Sequence, residues 1–251
     1  MKVKTLVITL LIMTLGSCAP VGIVVPTETA VPYPYKVTNH EKPNIQAEFS
    51  PFTAVGCDNS HGYENWYSCE EGSPLLDLGC NSIENKPLLG GLTPNYPIAA
   101  CDYEINENIG VADLPSDGCV YADGGFITSC HRYLIYKDGK YQLIKTLDEF
   151  RAHYAPVDSP EEALSFVLAS DDLIAHYGQT KNDDYVYFVE ILEDTYVETV
   201  ASDYIVHVFS TYSVCDAFET KSVQVKVAHD GHLTELNRTL VYRDPTQTGC
   251  E

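Results

Sequence analysis

Histidine is the side chain best suited to metal ligation and to proton transfer near neutral pH, and this 251-residue chain carries eight of them. His229-Asp230-Gly231-His232 is the most specific polar constellation. In a two-residue hairpin around Asp230-Gly231 the flanking histidines lie opposite each other on one face, where they would share a zinc or copper ion. Glu235 faces the other way unless a bulge intervenes, so a third ligand is missing, and an exposed polar turn accounts for the residues more simply. His207, in YIVHVFS, alternates with Ile205 and Phe209 and shares their face. It reads as a core histidine or as a residue lining a pocket. Asp171-Asp172 and Asp183-Asp184 lack the pattern of an oxygen-rich calcium loop and read as solvated. The stretch GGFITSCH, Gly124 to His131, places serine, cysteine and histidine together, yet nothing there activates Ser129. A nucleophile elbow, a phosphate loop and H-E-x-x-H are all absent from the sequence. No metal or organic cofactor is expected. Tyr63, Trp66 and Tyr67, in GYENWYSC, form an aromatic cluster that is either core filling or a platform for stacking a sugar.

Nine cysteines leave one unpaired in an oxidising compartment. Setting Cys18 aside leaves Cys57, Cys69, Cys80, Cys101, Cys119, Cys130, Cys215 and Cys250, an even set suited to disulfides. No C-x-x-C occurs, so neither zinc knuckles nor a thioredoxin-like redox motif is supported. The spacing leaves the pairing open; Cys215 with Cys250 is one possibility.

Met1 to Lys4 is a short basic head, Leu6 to Leu15 an uncharged apolar run, and Gly16-Ser17 a small-residue pair before Cys18. This is the layout of an export signal, and the run falls well short of the roughly 20 residues of a spanning helix. Leu15-Gly16-Ser17-Cys18 resembles the cleavage box of bacterial lipoprotein signals. The resemblance covers residues 1–18. It implies cleavage after Ser17, acylation of Cys18, and an extracytoplasmic chain held to a membrane of the bacterial cell envelope by lipid. The formal net charge of −21 argues against nucleic acid as a partner and against adhesion to anionic headgroups without the acyl anchor.

The elements follow from composition and period. Residues 1–17 are the signal and 18–51 the lipidated cysteine with a tether rich in proline, which resists regular pairing and favours an extended spacer. Residues 52–130 are a disulfide-rich, irregular segment. Residues 131–251 are an α+β region, expected to form one globular unit with it. Lys137-Asp138-Gly139-Lys140 predicts a tight hairpin. Thr146 with Glu149, and Ser159 with Pro160 and Glu162, predict two capped helices, the second over 160–177 and ended by Gly178. DYVYFVEIL, TYVETV, DYIVHVFSTY, KSVQVKVAH and HLTELNRTLVYR then read as strands, with Val223, Val225 and Val227 on one face and Ser222, Gln224 and Lys226 on the other. The fold class is therefore α+β: a C-terminal antiparallel sheet packed with one or two helices, a closed barrel being the alternative. The functional expectation is a lipid-anchored binding module for a protein, peptide or glycan. The competing class is a secreted or periplasmic hydrolase whose site is assembled only in space.

Overall fold

The computed structural model describes residues 29–30, 34, 36–59, 62–104, 115–122, 129–214 and 217–246. The signal, Cys18, Cys215, Cys250 and residues 123–128 lie outside them. The elements of the first part are β1 (Lys36–Thr38), α1 (Ser50–Thr53), β2 (Cys57–Asp58), β3 (Trp66–Cys69), β4 (Ser82–Glu84), β5 (Ile98–Glu104), β6 (Tyr121–Ala122), β7 (Ser129–Lys137) and β8 (Lys140–Ile144). Seven of these strands form one sheet in the order β2-β3-β4-β5-β7-β6, with β8 also paired to β7. Strands of two to four residues make few ladder bonds, and disulfides supplement them. Cys57–Cys69 joins directly paired positions of β2 and β3, Cys80–Cys101 ties the approach to β4 onto β5, and Cys119–Cys130 ties the approach to β6 onto β7. Loops of this length lose on the order of 3 kcal/mol of unfolded-state entropy per bridge. Six of the cysteines read as structural are thus bridged to their chain neighbours.

The β7–β8 hairpin turns at Asp138 (φ 52°) and Gly139 (φ 75°), the left-handed pair expected of Asp-Gly between paired Lys137 and Lys140. Both helix caps form as read. Thr146 accepts the Glu149 N–H at the start of α2 (Leu147–Tyr154), and Ser159 and Glu162 make a reciprocal capping box on α3 (Pro160–Ser170). The second helix ends seven residues before the expected 177. Asp171 is extended, its carboxylate accepts the Asp172 N–H at 2.8 Å, and Ile174 exchanges backbone hydrogen bonds with Phe209. Aspartate side chains compete for backbone donors in this way, and a strand was available to take the rest. Asp171 and Asp172 therefore sit in an exposed turn, and Gly178 lies in the loop beyond.

The remaining strands are β9 (Val186–Tyr187), β10 (Ile191–Glu193), β11 (Tyr196–Val200), β12 (Asp203–Val214), β13 (Ala217–Val227) and β14 (Leu233–Asp244). They form an antiparallel sheet in the order β11-β12-β13-β14-β9, while β10 pairs with β1 in parallel. The sheet is open rather than a closed barrel. Val206, Val208, Val223, Val225 and Val227 belong to the same buried cluster as the α3 residues Leu164, Phe166 and Val167 and the first-sheet residues Ile98, Tyr133 and Ile135. Because α3 meets apolar groups of both sheets, nearly its whole circumference is buried, unlike a helix with one wet face. Its Ser165 is satisfied by donating to Leu88 O and accepting from the Gly91 N–H.

Two expectations are corrected here. The Asp230-Gly231 turn is a three-residue loop, not a two-residue one: Ala228 N–H donates to His232 O at 2.9 Å, and Val227 pairs with Leu233. The loop tip is held by α2 and its following segment, with Val157 N–H on His229 O and Arg151 Nε–H on Gly231 O. The tether is also docked from Lys36 onward. Between its prolines the backbone is free to pair, and Lys36, Val37 and Thr38 use that freedom on β10.

Candidate functional site

His207 is brought to a site by the hairpin of β11 and β12, whose register sets it directly across from Tyr196. The two rings stack at 3.9 Å between centroids and 11° between planes. On the other side of Tyr196 lies His40, stacked at 4.5 Å, delivered by the β1–β10 pairing. Tyr196 is thus held between two imidazoles. The buried Asp194 carboxylate fixes the approach, accepting from the Asn39 side chain and from the backbone N–H groups of His40, Gly178 and Gln179. Burial alone would raise the pKa of Asp194, but these donors outweigh it and hold the acid below its ordinary range.

Two carboxylates flank the column. Glu193 Oε1 is 3.0 Å from His40 Nε2, and Glu198 Oε1 is 3.5 Å from His207 Nε2. The latter pair is an ion-pair contact without hydrogen-bond geometry, and His207 Nε2 is buried with no hydrogen-bond partner. Burial pushes the His207 pKa down, against the pull of Glu198 and Glu193. The Tyr196 phenol is pushed up to about 12, first by burial and then by the same two glutamates. The column separates two clefts. One, of about 220 Å³, is lined by His40, Glu41, Pro43, Glu161, Tyr177 and Tyr196 among others. The other, of about 140 Å³, is more enclosed and has His207, Glu193, Ser222 and Gln224 beside the apolar side chains of Ile191 and Phe209. Ser222 Oγ is spent on Thr239 O at 3.4 Å rather than on the imidazole. The arrangement offers hydrogen-bond acceptors and negative charge to a guest.

His207 shares the face of Ile205 and Phe209, as its alternation indicates, and that face is the one turned from α3 toward the cleft. The other nominated residues are not gathered with it. Trp66 and Tyr67 are adjacent on β3 and so point to opposite faces; Tyr67 packs 4.7 Å from Phe49, while Tyr63 is 71% exposed. A single three-ring platform does not form. His229 and His232, no longer cross-strand partners, turn to different acids: His229 to Asp158 at 3.2 Å and His232 to Asp230 at 3.3 Å. Among the described residues no three His, Cys, Asp or Glu side chains are grouped to hold a metal ion. Tyr196 and His40 were not singled out from sequence. Tyr196 was accessible, because a two-residue turn at Ala201-Ser202 pairs it with His207 by simple counting. His40 carries no local signal. The chain matches no family model, no curated protein and no solved structure.

Proposed function

We propose that this protein is an extracytoplasmic binding module, anchored to a bacterial membrane through lipid on Cys18, which takes a small polar ligand in the cleft beside His207. The observation that carries the binding reading is the partly enclosed cleft in which His207, Glu193 and Gln224 stand beside the apolar side chains of Ile191 and Phe209. A concave, partly apolar cleft with a few polar side chains is the usual form of a small-ligand site. The export layout with its L-G-S-C box supports the location, and the disulfides suit the compartment. Binding is preferred to hydrolysis because Ser222, the serine lining this cleft, hydrogen-bonds a backbone carbonyl and not the histidine. Native mass spectrometry of the full protein extracted from its own membranes tests this. A small-molecule adduct on the wild type that disappears in Gln224→Leu and His207→Phe is the expected result. Spectra identical between wild type and both variants would refute the cleft assignment.

A further inference from the structure

We propose that the outer edge of β14 is a self-association surface, and that its occupant is the same edge of a second copy of this chain. Strand β14 pairs along its inner side with β13. On its outer side β9 meets it only at Tyr242 and Arg243, with Phe188 N–H on Val241 O just before them. Among the described residues no strand pairs with the outer side of Leu233 to Leu240, and residues 234–239 are all exposed. Such an edge presents a row of backbone N–H and C=O groups to any strand that fits them, and edges are ordinarily blunted by charges that repel a second strand. This edge carries charges of both signs, placed to suit its own copy.

The ladder with β13 fixes which side chains share a face. Gln224 pairs with Asn237 and Val225 with Glu235, so Leu236 is the extra residue of a β-bulge. Residues directly opposite in a ladder point to the same face. Leu233, Glu235, Arg238 and Leu240 therefore lie on the face of Val227, Val225, Val223 and Lys221, and Thr234, Asn237 and Thr239 lie on the other. The 2.8 Å ion pair between Glu235 and Arg238 is direct evidence that the bulge brings these two to one face. Passing over the bulge residue, the order is Leu, Thr, Glu, Asn, Arg, Thr, Leu. It is symmetric about Asn237, except that the acid is mirrored by the base. Identical antiparallel edges related by a two-fold axis set one residue against its own copy at the centre. With Asn237 there, Glu235 of each chain faces Arg238 of the other, Thr234 faces Thr239, and Leu233 faces Leu240. Opposite charges and paired threonines stabilise a ladder, and like charges directly opposite destabilise it. The neighbouring two-fold registers are therefore disfavoured, because they centre on Glu235 against Glu235 or on Arg238 against Arg238. The favoured register also spans the open edge, from the end of the hairpin loop to the residue before Val241. The chain's net charge of −21 repels a second copy, but Leu233–Leu240 has one acid and one base and is locally neutral. A contact made by a single strand edge belongs to the small, reversible class of interfaces, below about 1,200 Å² in total.

The test uses the full protein in detergent, followed by sedimentation velocity up to about 100 μM, where weak complexes are populated. Hydrogen exchange of the peptide spanning 233–240 is measured over the same concentrations. A dimer that grows with concentration, with exchange at 233–240 slowing in parallel, is the expected result. Glu235→Arg alone, or Arg238→Glu alone, sets two like-charge pairs in each dimer and weakens association at least about tenfold. Mixing the two variants restores association, because each supplies the charge the other lacks; misfolded variants would not be rescued in this way. Glu71→Arg, a charge reversal at an exposed turn, leaves association unchanged. A wild type that stays monomeric throughout overturns the inference, as does a dimer indifferent to both reversals or a mixture no better than either variant alone. Slow exchange at 233–240 that does not depend on concentration identifies a strand from elsewhere on this edge and overturns the second copy.

Discussion

Gly90 is where a single methyl group should do the most damage. A Cβ built there lies 2.1 Å from the Gln46 carbonyl carbon, 2.2 Å from its oxygen and 2.5 Å from the Ala47 nitrogen. Carbon atoms in contact sit about 3.5–4.0 Å apart, so the Gln46–Ala47 backbone must retreat by roughly 1.4 Å or more. That strand of chain is not free to go. Ala47 N–H is bonded to Pro87 O at 2.9 Å, and Phe49 and Phe52 just beyond it are buried in the first-sheet core. Overpacking costs about 1–3 kcal/mol, and losing the Ala47 bond adds about 1 kcal/mol. Gly90→Ala is therefore expected to destabilise by about 2–4 kcal/mol, read as a fall in the urea midpoint at unchanged slope. Gly72→Ala is the reference, since nothing lies within 4 Å of its Cβ and only its φ of +94° opposes the change. A Gly90→Ala midpoint at or above that of Gly72→Ala would refute the reasoning.

Two further outcomes follow from the same reading. Gly231→Ala combines φ +78° with contacts of 3.0 Å to Phe166 and 3.1 Å to Arg151, so it should cost about 2 kcal/mol or more and lower the thermal midpoint; a midpoint within a degree of wild type would contradict the packed tip. The His207 pKa is lower folded than unfolded, so below pH 6.5 the unfolded chain binds the extra proton. Stability should then decline as pH falls through 6.5 toward the folded value, and His207→Gln should flatten that decline relative to wild type in urea titrations at stepped pH. His153 and His176, both held down chiefly by burial, keep a residual slope of the same sign in the variant.

The parts of the fold that could be read from sequence are those whose determinants are adjacent in the chain. The Asp138-Gly139 turn, the Thr146 and Ser159 caps and the alternation of Val223, Val225 and Val227 all rest on neighbours within a few residues. The end of α3 is not legible locally because Ile174 answers to Phe209, a partner 35 positions away. The Asp230-Gly231 loop gained a residue because its tip is anchored on α2 and Val157, an influence no turn propensity contains. At the site the limit is the same. His207, Tyr196 and Glu198 sit on one hairpin and could be assembled by counting across Ala201-Ser202. His40 arrives from the docked segment, through the pairing of β1 with β10 more than 150 residues on, and the prolines around it gave the appearance of a free spacer.

The central claim, a binding module anchored outside the cytoplasm, is tested most directly by intact-mass and peptide mass spectrometry of the protein purified from its native membrane, with free thiols alkylated before reduction. The account predicts a mature chain that begins at an acylated Cys18 and carries no alkylated cysteine. An unmodified Cys18, or cleavage elsewhere, would contradict it.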